Sequence, residues 1–452
     1  MRKKLLLAVA FVFFIAATAM YSPREASAIP AFARQTGFAC STCHYQHFPE
    51  LNAFGRSFKA GGFTMVGGVS LIEGQVLSLP SVLNASLITK AQFRDTYGSN
   101  TAGKASEYDN GAWDFPIDDS LFIAGRGGDH FGFLSEISVL NPAAAVASFK
   151  IPITFNAYDT TLDIIPFSGG AGPSWAFEVL NTGIVETHTA LLHKPETFAA
   201  NYIGASQDAT GVAFVAYKPI GYLDYTLWSN DFVGFSSGTH EHIASPLHYI
   251  RLAVTPTVAG WDLGGGFAGW FGTESHGPLD GPTKDAANAW AIDFQAQGNV
   301  YDRPLGIYTS FADAGASSAS DVANLKSNIF NPGDKDMTAW TILAEYGLIP
   351  NTLAASVGYR LAHNGDPNRN GQNTTDDATT LALIYTPALN WQFGIEHSWY
   401  SGRGPRSEES ADGYCTNGGA AGGCGAAAAG ATPAGLAAGP EQLTTVTMWI
   451  AF

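Results

Sequence analysis

The stretch Trp290-Ala-Ile-Asp-Phe-Gln-Ala-Gln297 puts Trp290, Ile292 and Phe294 on one side of an extended chain and Asp293, Gln295 and Gln297 on the other. Alternation with a period of two is the signature of a strand that meets two different surroundings. The same pattern sets Leu83, Ala85, Leu87, Ala91 and Phe93 against Asn84, Ser86, Lys90, Gln92 and Arg94. It returns where Leu353, Ala355, Val357, Tyr359 and Leu361 oppose Ser356 and Arg360. A sandwich strand alternates as well, so the connections between strands must decide the fold.

Strands are expected at 82–94, 120–126, 131–140, 148–157, 175–182, 211–217, 222–232, 246–256, 261–272, 289–299, 304–313, 337–347, 352–363, 378–387, 391–401 and 441–452. Tight turns fall at Lys218–Gly221, Thr257–Gly260, Val300–Arg303, Leu348–Asn351 and Ala388–Asn390, and long polar stretches mostly separate the remaining pairs. Short turns alternating with long loops, on an even number of strands, is the pattern of an outer-membrane barrel, here all-β and antiparallel with about sixteen strands. The stretch 69–80 reads as an extra strand or a connector, and the link 141–147 is short for the pattern. At the C-terminus Val446, Met448, Ile450 and Phe452 alternate up to a terminal aromatic residue, which resembles the signal read by the barrel-assembly machinery. Trp290, Trp391, Trp399 and Trp449 lie near strand ends, as an aromatic girdle requires.

Composition agrees. Charged residues are 14% of the 452, against roughly 25% in a typical soluble domain. No apolar run in the body reaches the ~20 residues of a spanning helix. The first residues set the compartment. Arg2, Lys3 and Lys4 precede an apolar run from Leu5 to Met20, and Ala26-Ser27-Ala28 offers cleavage before Ile29, so residues 1–28 read as a secretory signal peptide. Their loss takes the formal charge from −16 to about −19, an exterior that disfavours nucleic acid and favours cations. Cys415 and Cys424, in a Gly/Ala-rich segment, read as a loop disulfide.

Cys40-Ser41-Thr42-Cys43-His44 is a C-x-x-C-H motif, the attachment pattern of one covalent haem c. Two thiols spaced this way reach one porphyrin edge, and the adjacent imidazole of His44 becomes the proximal iron ligand. A redox dithiol would belong near a βαβ pattern, and a zinc half-site needs two further ligands. Residues 29–68 are too few for a core of their own. A haem would supply one, packed by Phe32, Phe38, Phe48, Leu51, Phe54 and Phe58, with a helix from Glu50 to Lys59 ended by Gly61-Gly62. His47 is too near His44 to reach the opposite haem face. Met65 is the leading distal ligand, with a barrel histidine or an open site as alternatives.

The blocks PAFARQTGFACSTCH (Pro30 to His44) and FPELNAFGRSFKAGGFTM (Phe48 to Met65), followed by a barrel over 82–452, resemble the fused cytochrome–porin family of iron-oxidising and other bacteria. The resemblance implies electron transfer across the outer membrane, from extracellular Fe(II) or another donor to a periplasmic c-type cytochrome or similar carrier. A lumen of about sixteen strands is wide enough for a plug, and the haem segment, entering from the periplasmic side, is expected to fold back into it, with residues 69–81 as linker or extra strand. The chain then reads more as an electron carrier, with Fe(II) oxidase activity at most, than as a conventional enzyme; no catalytic residue stands out. The alternative is a porin-like solute channel in which haem senses, gates or merely builds the plug. Outer-membrane lipid is a partner in either case, and porin-like barrels often form homo-oligomers. Glu186, His188 and His193, and His240, Glu241 and His242, are candidate iron contacts on two predicted extracellular loops.

Overall fold

In the computed structural model the face that a soluble protein would bury is turned outward. Trp290, Ile292 and Phe294 are 38%, 47% and 45% exposed, while Asp293, Gln295 and Gln297 between and beyond them are buried. The structure describes residues 31–82, 84–97, 111–139, 146–182, 198–206, 208–230, 245–275, 284–317, 327–331, 333, 335–364, 375–388, 390–402 and 442–452.

Sixteen wall strands follow in order: β1 Ala85–Tyr97, β2 Ala112–Arg126, β3 Gly132–Ser138, β4 in two pieces (Val146–Lys150 and Ile153–Ala157), β5 Thr160–Gly169, β6 Ala209–Lys218, β7 Gly221–Ser229, β8 in two pieces (Leu247–Val254 and Thr257–Val258), β9 Trp261–Ser275, β10 Lys284–Val300, β11 Arg303–Ala314, β12 Met337–Ile349, β13 Leu353–Asn364, β14 Asp376–Ala388, β15 Trp391–Gly402 and β16 Gln442–Ala451. Each pairs antiparallel with its neighbour, and β16 closes on β1 from Gln442↔Tyr97 to Ala451↔Ile88. Closure leaves no sheet edge, the condition for strands to lie in hydrocarbon. Both interrupted strands break at proline, which has no N–H to give. The ladder resumes at once: Ile151 donates to the Pro166 carbonyl, and the Pro256 carbonyl accepts from Leu263.

Every even-to-odd connection is short and lies at the end where the chain enters β1 and leaves β16. Ala259 (φ 51°) with Gly260 (φ 82°), and Tyr301 (φ 51°) with Asp302 (φ 60°), have the paired positive φ angles of type I′ hairpins. Short turns mark the periplasmic end of such barrels.

Two expectations need correcting. The strand expected at 175–182 is not in the wall; β5 is Thr160–Gly169, reached by a turn at Tyr158-Asp159 (Tyr158 φ 56°). A wall strand must show one face to lipid, whereas Phe177 to Thr182 are buried without alternation, at 2% exposure or less. The segment after β5 instead bends inward, through a short 3-10 turn at Pro173–Trp175. The stretch 69–81 forms a two-stranded hairpin (Leu71–Glu73 with Ser78–Pro80) outside the wall. Trp449 leaves the girdle: it sits on the inward parity of β16, stacked on Phe48 with ring centroids 4.7 Å apart.

Inside, polar groups answer one another. Arg251 on β8 donates to Glu178 at 3.0 Å and to Asp293 on β10 at 2.6 Å, and Thr182 donates to Asp293 at 2.5 Å. Nearer the other end, Arg360 on β13 reaches Asp376 at 3.1 Å, and the Tyr202 hydroxyl donates to the same carboxylate at 3.0 Å. Tyr202 belongs to α4 (Ala199–Tyr202), part of the connection that returns to β6. The outward face is accordingly the one where a charge is costly, most of all at mid-membrane depth. Ile292→Arg, at the middle of β10, is expected to lower folding stability in lipid or detergent by about 2–4 kcal/mol, read as a fall in the urea midpoint.

Candidate functional site

The N-terminal segment carries three short helices, α1 (Ala31–Thr36), α2 (Cys40–Cys43) and α3 (Ala53–Ala60). The single turn of α2 holds both cysteines of the haem motif. Asn52 joins it to α3: its N–H donates to the Cys43 carbonyl at 3.0 Å, its side-chain amide donates to Thr42 O at 3.0 Å, and its Oδ1 caps the helix by accepting from the Gly55 N–H. Gly55 is required there, because a Cβ would overlap the Cys43 carbonyl. Helix Ala53–Ala60 is thus three residues shorter at its start than Glu50 to Lys59, since Leu51 is already bonded as extended chain to His44.

His44 Nδ1 lies 3.0 Å from the Glu50 carbonyl oxygen. A carbonyl only accepts, so the proton is on Nδ1 and Nε2 keeps its lone pair, the tautomer of a metal-ligating histidine. Burial pushes the His44 pKa down to about 4, which keeps the ring neutral. The two thiols are not joined in a disulfide. Burial raises both, Cys43 to about 11 with Cys40 adding to it, the reverse of the lowered pKa of a reactive dithiol.

The phenylalanines divide into two sets. Phe32, Phe58 and Phe63 pack together inside the segment, Phe32 on Phe63 at 4.8 Å. Phe38, Phe48 and Phe54 are each more than a third exposed, as is Met65 at 42%. Phe48 meets the His44 ring edge-on, and Phe38, two residues before Cys40, meets Phe54. Met65 is held through its main chain, its carbonyl accepting from Gln35 Nε2 at 2.7 Å.

Inward-facing groups of the wall and of the inward-bent segment after β5 grip this segment along its length. The Tyr45 hydroxyl donates to Gly298 O at 2.8 Å, and Arg56 pairs with Asp262 at 2.7 Å. Asn181 accepts from the Leu51 N–H at 2.8 Å and donates to its carbonyl at 2.7 Å, while Lys59 reaches the Glu178 carbonyl. His47 Nε2 lies 2.9 Å from Glu345 on β12, with both side chains buried. Gly298, Asp262 and Glu345 all sit within a few residues of short turns, so the contacts cluster at the periplasmic end of the wall.

His47, Glu50 and Glu345 form the group among the described residues that brings three potential metal-binding side chains together. Nothing in the sequence pairs Glu345 with His47, 298 positions away. Cys415, Cys424, Glu186, His188, His193, His240, Glu241, His242 and the leader 1–28 lie outside the described residues.

No family model matches this chain, and no curated protein matches it. Among solved structures, OprB of Pseudomonas putida is 10% identical with a TM-score of 0.48, over 81% of this chain and 94% of that one. The anion-selective porin of Comamonas acidovorans is 10% identical with a TM-score of 0.45, over 82% and 99%. The outer-membrane protein OmpT of Vibrio cholerae is 9% identical with a TM-score of 0.44, over 85% and 100%. The closed sixteen-strand wall with its apolar face outward makes this chain an outer-membrane β-barrel protein.

This outcome corrects the expected membership of the fused cytochrome–porin family: no family model matches, and the similar solved structures named above include an outer-membrane protein and a porin, none of them a cytochrome. With the family go the functions it implied. These are electron transfer across the membrane, Fe(II) oxidase activity, Fe(II) as extracellular donor and a periplasmic cytochrome as acceptor.

Two measurements bear on the site. Alanine in place of glycine inside a helix ordinarily stabilises, but Gly55→Ala is expected to loosen the segment by about 1–3 kcal/mol through overpacking, seen as faster proteolysis between residues 31 and 65. Burial lowers the His47 pKa, but the Glu345 carboxylate more than reverses this and lifts it to about 9. The ion pair therefore contributes fully below pH ~6.5, the unfolded value, and is lost as pH rises through about 9. In chelator-treated protein the segment should become more protease-sensitive over that window, and Glu345→Gln should flatten the response.

Proposed function

We propose that this chain is a porin-like solute channel of the outer membrane whose lumen is closed at the periplasmic end by its own N-terminal segment. The observation that carries the reading is the row of bonds from Tyr45, His47, Leu51, Arg56 and Lys59 to inward-facing groups of the wall and of the inward-bent segment after β5. In this reading residues 1–28 are the exported leader, 29–68 the plug, 69–81 the connector and 82–452 the barrel.

We further propose that the plug is built around one haem c, held through thioethers at Cys40 and Cys43 and by His44 as proximal ligand. The residues fit such a group. The His44 Nε2 lone pair is available, the thiols share one helical turn, and Phe38, Phe48 and Phe54 leave an uncovered apolar surface beside them. When bound, the haem supplies a rigid apolar disc and an iron centre. The chain's own part is to orient His44 through the Glu50 carbonyl and to hold α2 against α3 through Asn52. Met65 is the candidate on the distal side.

Planar-bilayer recording tests the closed lumen. The intact chain should show low conductance, and His47→Ala with Arg56→Ala should raise it several-fold by unpinning the plug; a large steady conductance from the intact chain would sink the reading. Covalent haem staining tests the cofactor. Protein made with the cytochrome c maturation apparatus should stain, and Cys40→Ala with Cys43→Ala should not. An unchanged ferrous spectrum in Met65→Ala would remove Met65.

A further inference from the structure

His47 and Glu50 come from the N-terminal segment and Glu345 from β12, and their ligand atoms all lie within 4.8 Å of one another. We infer that these three side chains bind one divalent transition-metal ion, which latches the plug to the barrel wall. The inference rests on the plugged-lumen reading only in that the ligands come from both parts.

Three observations carry it. The site is shut off from solvent, with His47 at 5% exposure and both glutamates at 0%. Its oxygens are under-satisfied: both carboxylate oxygens of Glu50 and Oε1 of Glu345 are buried without a hydrogen bond of normal geometry, the Tyr308 hydroxyl being a donor close beside Glu50. Burying such groups unpaired is costly, and native proteins rarely leave them so. Finally, the imidazole is already aimed. His47 Nδ1 lies 2.8 Å from the Phe48 carbonyl, an outer contact that leaves Nε2 as the ligand atom, facing Glu345.

The charge and spacing agree. Two carboxylates and a neutral imidazole carry two negative charges, which a divalent cation cancels. Ligands about 2.0–2.2 Å from a common ion lie roughly 2.9–3.5 Å apart; His47 Nε2 and Glu345 Oε2 are already 2.9 Å apart, and Glu50, within 4.8 Å of both, would have to draw in as the ion binds. One nitrogen and two carboxylates suit zinc or manganese better than calcium or magnesium. Ser356 donates to Glu345 Oε2 at 3.1 Å, which orients the wall ligand. His44 is not among the three, so the latch is separate from the proposed haem.

Zinc is the probe. Full-length protein in detergent, stripped with chelator and dialysed against Zn²⁺, is analysed for zinc and iron separately. Wild type should hold one zinc per chain more than Glu50→Gln or Glu345→Gln, and each substitution should weaken binding at least ~10-fold. Zinc should also slow proteolysis of residues 31–65 in wild type and not in Glu50→Gln. Equal zinc in wild type and both variants overturns the inference, whether zinc then sits elsewhere or nowhere; in that case Glu50 simply keeps a proton beside the His47–Glu345 pair. Heat-modifiable migration of both variants establishes that they fold. Low conductance of the intact chain alongside equal zinc would leave the plug standing while the latch fails.

Discussion

Everything in this molecule follows from one constraint: hydrocarbon offers no hydrogen bonds, so each main-chain group in the wall must find its partner within the wall. The ladder from β1 to β16 and the β16–β1 seam meet that demand. The same demand inverts the usual amphipathic order. Lipid takes the face of Ile292 and Phe294, and Asp293, Gln295 and Gln297 are left to the interior. A polar interior then has to be solvated or satisfied by protein. In this barrel much of it is satisfied by protein, from two separate parts of the chain.

Those two parts depend on each other. Residues 176–182 bring Glu178 to Arg251 and Thr182 to Asp293, and the same stretch presents Asn181 to both polar groups of the Leu51 peptide and the Glu178 carbonyl to Lys59. The inward-bent segment is therefore both wall lining and seat. Removing one partner of the Arg251 group would leave a buried charge uncompensated, at a cost of several kcal/mol, and the N-terminal segment would lose its seat with it.

The barrel was largely legible in the sequence because its two signals are local. Parity on a strand depends on neighbours two residues away, and a tight turn on the two or three residues that make it. Fifteen of the sixteen expected strands overlap wall strands, and turns such as Tyr301-Asp302 fall where expected. The failure at 160–182 has a physical cause. Phe177, Glu178 and Val179 alternate as a wall strand would, but Leu180 and Asn181 break the pattern, and only contact with distant groups shows that both faces are covered. The C-x-x-C-H motif is equally local. The His47–Glu50–Glu345 group is not, since two chain segments almost three hundred residues apart create it.

The placement of Phe48 and Arg34 has a consequence for how the cylinder is kept shut. Phe48 lies on Trp449 of the last strand, and the Arg34 guanidinium donates to the Ala85 carbonyl at the start of the first. The two ends of the wall meet there, with Leu87 and Phe452 exchanging both main-chain bonds. The N-terminal segment thus straddles the join like a rivet plate on the inside of a rolled pipe. Prising the first and last strands apart would break this inner cover as well as the ladder, so the seam, the interface formed by the most distant parts of the wall, is reinforced where it would otherwise open.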